Sequence, residues 1–160
     1  MRIYVIQVTP GTETKVRAAL EQSGITAYVP GRELIIRRGG GWSNAVSVLF
    51  PAYVFVECDY TPEIHHIVKT TAFVLRWLGK PTPIELHEEP FMRLMINDGN
   101  VIPPGKAVIT ADGIRVTGGW LLGREHYIVG YNVRKKRAIL NVPLGGKIHR
   151  TSVGMEFTKL

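Results

Sequence analysis

The chain changes character near residue 98, where the run Asn97-Asp98-Gly99-Asn100 offers turn chemistry and Pro103-Pro104-Gly105 follows close behind. Up to Asp98 ten Lys and Arg balance ten Asp and Glu. After it ten basic residues face three acidic ones, so the whole formal charge of +7 sits in the last 62 residues. A chain made basic only for solubility has no reason to segregate charge in this way, whereas a polyanion-binding module joined to a neutral protein-binding module does. A length of 160 residues allows one ordinary domain or two small ones, and the segregation favours two.

The neutral part interleaves strands and helices. Arg2–Val8 alternates as a strand, and residues 12–22 form a helix with Val16, Ala19 and Leu20 at helical spacing and Gly24 placed to end it. Ile25–Val29 reads as a second strand. Leu34–Arg37 and Ala45–Leu49 read as the arms of a hairpin around a flexible Gly39-Gly40-Gly41 tip. That glycine triplet is not a phosphate loop, because Trp42, Ser43 and Asn44 supply neither the required lysine nor a following helix. Tyr53–Cys58 is the clearest strand, with Val54, Val56 and Cys58 on one face and Tyr53, Phe55 and Glu57 on the other. Thr61 and Pro62 suit the N-cap and first turn of a helix carrying Ile64, Ile67 and Val68 inward. Phe73–Leu78 is another strand, and Glu88–Asn97 repeats the helical stripe with Phe91, Leu94 and Met95. This order predicts an α/β or α+β domain with a small sheet covered by helices. The basic part shows no helical stripe. Its short β-type runs, Lys106–Thr110, Ile114–Thr117, Tyr127–Tyr131, Arg137–Val142 and Met155–Thr158, are separated by glycine or charged turns and indicate a small barrel.

Several function classes drop out. Cys58 stands alone, which permits no internal disulfide and no thiolate metal cluster and suits a reducing cytoplasm. The opening MRIYVIQV lacks the apolar block of a signal peptide. The densest apolar stretch, Ala45–Val56, is cut by Pro51 and falls far short of the ~20 residues a spanning helix needs, so no membrane association is expected. His65 and His66 are neighbours on a predicted helix, point about 100° apart and have no third ligand nearby in sequence. Glu88 and Glu89 are likewise neighbours in a first helical turn, where they suit the helix dipole. No catalytic residue, metal site or cofactor is expected, and without a nucleophile elbow or dinucleotide motif the chain is not expected to be an enzyme.

The opening strand and helix, the run LFPAYVFVEC from Leu49, the stretch IVKTTAFVLRWLGKPTPIEL from Ile67, and IRVTGGWLLGREHYIV followed by KKRAILNV together resemble the NusG family of transcription factors over almost the whole chain. The resemblance implies an α+β protein: a NusG-type N-terminal α/β domain over residues 1–98, a linker over 99–111, and a small all-β KOW barrel over 112–160. It implies that the N-terminal domain docks on the clamp helices of RNA polymerase and supports elongation, with Phe50 and Tyr53 at the matching docking positions and Phe55 on the same strand face as Tyr53. For these aromatics a patch offered to a partner stands against packing beneath a helix.

Housekeeping members of that family contact Rho or a small-subunit ribosomal protein through a Phe-Gly-Arg-type loop, whereas this chain has VPLGGKIHR, altered at Leu144, Gly146 and Lys147. Trp120 stands where a proline is usual after Gly119, and His126 where a glycine is usual. The stretches GREHYIVGYNVRKKRAIL and SVGMEF are more similar to the LoaP subgroup, which implies targeted antitermination in bacteria by a cytoplasmic monomer that recognises an RNA hairpin in the nascent transcript. The alternative is a general coupler whose KOW domain binds Rho or a ribosomal protein.

Arg134, Lys135, Lys136 and Arg137 form a run at a predicted strand-strand turn, flanked by Tyr131 and reinforced by Arg124, Lys147, His149 and Arg150, with His126 near the strip. Adjacent cations repel one another unless an anion is near, and a turn projects them outward together. Cations supply affinity for phosphates, while Arg and His also read base edges or stack. These nine residues are the expected RNA contacts. A solvated hairpin tip is the other reading of the run.

Overall fold

The computed structural model describes residues 1–144 and 147–159. The first half of the chain carries β1 (Arg2–Val8), α1 (Glu13–Gln22), β2 (Thr26–Tyr28), β3 (Gly31–Arg38), β4 (Gly41–Val48), β5 (Tyr53–Cys58), α2 (Pro62–Thr70), β6 (Val74–Trp77) and α3 (Glu89–Ile96). The second carries β7 (Val101–Ile102), β8 (Gly105–Thr110), β9 (Gly113–Gly118), β10 (Ile128–Asn132), β11 (Arg137–Leu144) and β12 (Lys147–Lys159). No helix among the described residues is long and apolar enough to cross a membrane.

β1 satisfies its backbone on both edges, running antiparallel to β5 and to β6, and β2 adds antiparallel to the far edge of β5, giving the order β2-β5-β1-β6. Ile3 to Ile6 are buried in succession, which a strand achieves only when both faces are covered. Val54, Phe55 and Val56 on β5 are fully buried for the same reason. The helix α1 turns its Val16 and Leu20 inward. It ends in a Schellman arrangement, with Gly24 N–H donating to the Glu21 carbonyl and Ile25 N–H to the Leu20 carbonyl, both at 3.0 Å. On α2 the Thr61 hydroxyl accepts the Ile64 N–H at 3.2 Å, as its sequence predicts. The stripe on α3 is rotated from the expected one. Met92, Met95 and Ile96 are buried, while Phe91 and Leu94 are only half-buried.

The remaining strands form two sheets, β4-β3-β7 and β10-β11-β12-β8-β9. In the first, β3 and β4 pair from Gly31 opposite Val48 to Arg38 opposite Gly41. Gly39 and Gly40 close the turn at φ 56° and 79°, the two-residue hairpin geometry that glycine adopts most readily. The second sheet has the five strands expected of the barrel, with β8 antiparallel to β9 and parallel to β12.

Compactness does not follow the cut at Asp98. One compact unit comprises Met1–Pro30, Phe50–Asn100 and Pro143–Lys147; the other comprises Gly31–Leu49, Val101–Val142 and Ile148–Leu160. The β3–β4 hairpin therefore belongs with the C-terminal segment, because β3 pairs with β7 and Arg32 donates to the Ser152 carbonyl at 2.7 Å. The stretch 99–111, expected as linker, carries β7 and β8, both paired into sheets. Regrouping the residues this way sharpens the charge segregation. The first unit holds eight basic and nine acidic residues, the second twelve basic and four acidic.

Candidate partner and nucleic-acid interfaces

The segment before β5 is fixed from several sides. Tyr53 N–H donates to the Phe50 carbonyl at 3.2 Å and Val8 N–H to the Ala52 carbonyl at 2.8 Å, with Ala52 at φ 73°. Phe50 is 3% exposed and Phe55 0%, their rings edge-to-face at 5.3 Å. The expectation that Phe50 presents its ring to a partner is thus corrected, and Phe55 resolves to core. Their edge-to-face packing stabilises the start of β5 from within the core. Tyr53 is half-buried. It lies opposite Gln7, which lies opposite Arg76 and accepts that guanidinium's hydrogen bond at 2.8 Å. Tyr53, Gln7 and Arg76 thus form a row across one face of the sheet.

Glu13 is the residue here that sequence reasoning missed. Only 5% exposed, its carboxylate accepts the backbone N–H of Gly11 at 3.2 Å and of Ala52 at 3.0 Å, so it braces the Phe50–Tyr53 connection. Burial pushes its pKa up, but the backbone donors outweigh burial and hold it below the usual carboxylate value. A carboxylate depressed in the folded state adds stability that is complete above the unfolded pKa of about 4.3 and is lost as pH falls through the lower folded pKa. Glu13→Gln is expected to lose about 1–3 kcal/mol at neutral pH and to flatten the acid limb. Urea midpoints of both proteins between neutral and strongly acidic pH check this, and an unchanged acid limb counts against the brace. Glu57 is depressed chiefly by the Arg93 hydrogen bond, which outweighs burial. Tyr28 also donates to it at 2.9 Å, and Arg93 reaches Glu89 at 3.0 Å, tying α3 to the sheet.

The nine expected RNA contacts do not form one patch. β10 and β11 are antiparallel, with Asn132 opposite Arg137, and Val133 to Lys136 form the turn between them. Asn132 Oδ1 accepts the Lys135 N–H at 2.9 Å, Lys136 N–H donates to the Val133 carbonyl at 3.3 Å, and Met155 N–H donates to the Lys136 carbonyl at 3.0 Å. Lys136 sits at φ 56°, a left-handed conformation that costs a side-chain-bearing residue about 1–2 kcal/mol. Arg134 and Lys135 are exposed, Lys136 and Arg137 half-buried. His126 lies before the opposite end of β10 on a one-turn 3-10 helix, its exposed ring 4.1 Å from that of Tyr127. Arg124 beside it is engaged structurally, donating to the Trp120 carbonyl at 2.6 Å. Met155 meets the turn, so Lys147, His149 and Arg150 at the start of β12 lie ~17 Å or more farther along that strand. Alternation also sets Arg150 on the opposite face of β12 from Lys147 and His149. Gly146, named in the altered loop, lies outside the described residues.

Instead the turn cations meet the β3–β4 hairpin. Arg32 is anchored by Ser47 Oγ at 3.1 Å and by the Ser152 carbonyl, and burial, then the charge of Arg137, lower its pKa. At the hairpin tip Trp42 faces Arg37 across the strands, the guanidinium carbon 5.6 Å from the ring centroid, and Lys136 Nζ comes within 4.6 Å of the same ring. The signal in the sequence was the run RRGGGW, cations and an aromatic in cross-strand register around a tight turn.

His65 packs its ring flat against Trp77 at 5.7 Å and hydrogen-bonds the Tyr60 hydroxyl at 2.6 Å. Among the described residues Glu85, His87 and Glu88 bring possible ligand atoms within 4.8 Å of one another. Contacts between the His87 ring and the two carboxylates account for that grouping, with His87 Nδ1 3.2 Å from Glu85.

A helix-flanked antiparallel sheet of nearly balanced charge and a basic all-β unit define a two-unit α+β protein. The family model described as transcription termination factor NusG matches residues 1–95, and the chain belongs to the NusG family. It is 25% identical over 173 residues to the transcription termination/antitermination protein NusG of Pseudomonas aeruginosa, covering 99% of this chain and 97% of that protein. It is 32% identical over 97 residues to the NusG of Streptomyces griseus, covering 53% of this chain and 33% of that one. A solved structure described as domain interaction in Thermotoga maritima NusG shares the fold at a TM-score of 0.53 and 20% identity, covering 96% of this chain and 93% of that chain.

Proposed function

We propose that this chain is a specialised antitermination and elongation factor of the LoaP kind. Its first unit binds the clamp helices of RNA polymerase and its second unit binds an RNA hairpin in the nascent transcript. The observation that carries this reading is the division of charge, twelve basic against four acidic residues in the second unit and near balance in the first. Phosphate backbones supply the dominant attraction in such interfaces, and a near-neutral sheet face suits a protein partner. Tyr53 in its row with Gln7 and Arg76 is the docking contact, held in place by the buried Phe50 and Phe55 and by Glu13. The protein works as a cytoplasmic monomer.

The test is transcription in vitro with purified bacterial polymerase on templates that differ only in a hairpin-coding leader upstream of a terminator. The full chain should raise read-through only when the hairpin is transcribed. Tyr53→Ala should remove read-through while leaving RNA binding intact, since an interface aromatic costs ~2 kcal/mol or more when truncated. Hairpin-independent activity, together with capture of the chain by Rho or a ribosomal protein, replaces this reading with that of a general coupler.

A further inference from the structure

Trp42 is 43% exposed at the start of β4, and the cations of Arg37 and Lys136 lie over its ring. Two separate elements converge on it, the Gly39-Gly40 hairpin turn and the β10–β11 turn, and the second holds Lys136 in a strained left-handed conformation with its carbonyl taken by Met155. Strain of this kind persists where the surrounding structure fixes a side chain for use. Among the described residues, Arg37, Arg38, Arg134, Lys135 and Lys136 make no salt bridge. Glu33, the one acid on the hairpin, accepts the Asn44 amide at 2.7 Å. A partly exposed indole therefore carries two cations, Arg37 and Lys136, that have no salt-bridge partner among the described residues.

We infer that Trp42 is a stacking platform for an unpaired RNA base, with Arg37 and the 134–136 turn neutralising the phosphates on either side of it. The inference rests on the RNA-binding reading and adds to it the β3–β4 hairpin and a preference for splayed loop bases. The chemistry favours RNA over an acidic protein segment, because a carboxylate-bearing peptide satisfies the cations but leaves the indole face without a planar partner. A nucleotide strand satisfies both. It also favours a looped strand over a perfect duplex, whose bases are already stacked on one another. When RNA binds, Arg37 and Lys136 exchange the ring for phosphate oxygens, and the base takes the face they release.

The experiment uses the full chain with two labelled RNAs, a hairpin carrying an unpaired loop and a perfect duplex of the same stem. Trp42→Ala should weaken hairpin binding about tenfold or more, the effect of losing one stacked base, and change duplex binding less than about twofold. Trp42→Phe should restore most of the loss. The salt slope should not change, since no charge is removed. In the wild type the looped RNA should quench tryptophan emission beyond the duplex control, and Trp42→Ala should abolish that excess. Equal losses on both RNAs, or no loss on the hairpin, overturn the inference while leaving RNA binding standing. A wild type that binds neither RNA at any salt concentration overturns both together.

Discussion

Replacing Lys135 and Lys136 together with Ala is expected to weaken binding of every RNA by about a hundredfold or more at low salt. Charged hydrogen bonds to phosphate are worth about 1.5–3 kcal/mol each, and the turn that Asn132 caps presents these two ammonium groups with no acidic partner among the described residues. Each phosphate contact also contributes about 0.7–0.9 to the slope of log affinity against log salt, so the double variant should bind with a slope shallower by more than one unit. A companion variant separates binding from folding. Lys136 occupies φ 56°, so Lys136→Gly removes the left-handed cost and should match or exceed the wild type in thermal stability while still losing affinity. Titrations of a hairpin and a scrambled control across a salt series, with melting curves for each variant, decide the matter. An unchanged salt slope would remove the turn from the interface.

Gly154→Val is expected to destabilise the second unit strongly. A Cβ at that position falls 2.7 Å from the Glu33 carbonyl oxygen and 3.2 Å from Pro104 Cβ, and the nearest of these is backbone that has no rotamer to yield. β12 can pass β3 only with no side chain at this point, so the branched residue pushes the hairpin away and strains the Arg32 contacts to Ser152 and Thr151. Overpacking of this severity costs about 3 kcal/mol, which for a unit of this size lowers the melting temperature by roughly 12–24 °C. Ser152→Ala is the milder control, because Arg32 keeps the Ser152 carbonyl. A shift of only a degree or two in the Val variant would show that the close approach is not needed for stability.

Local periodicity made much of this fold legible. β1, the Tyr53–Cys58 strand, the Thr61 cap and the Gly24 stop all lie where the sequence places them, because each depends on residues within a few positions of one another. The stripe on α3 was misread because Phe91-Met92-Arg93-Leu94-Met95-Ile96 is apolar on nearly every side, and only the sheet beneath decides which face is buried. What needed a distant partner stayed hidden. Glu13 reads as an ordinary first-turn acid until Ala52 is placed against it. The hairpin reads as a neighbour of the strands around it until β7 and Ser152 claim β3. The basic run was visible as charge, but its separation from His126 and Arg150 follows from antiparallel strands running to opposite ends of a sheet. The local pairing of Trp42 with Arg37 is legible in the run RRGGGW, but Lys136, its second cation, comes from another element.

The hairpin's attachment also orders events during synthesis. Arg32 is separated by 120 residues from Ser152, so at typical ribosomal speeds the hairpin leaves the ribosome on the order of ten seconds before its partner strand is made. For the first part of that interval, until Val101 and Ile102 are made, β3 has no β7 beside it, and an unpaired strand edge is the usual starting point for chain-to-chain association. Arg32, Arg37 and Arg38 along the arm, and the tight glycine turn at its end, discourage such pairing by mutual repulsion. The same arginines that line the finished surface thus act earlier as guards, keeping nascent copies apart until the last strand arrives to close the unit.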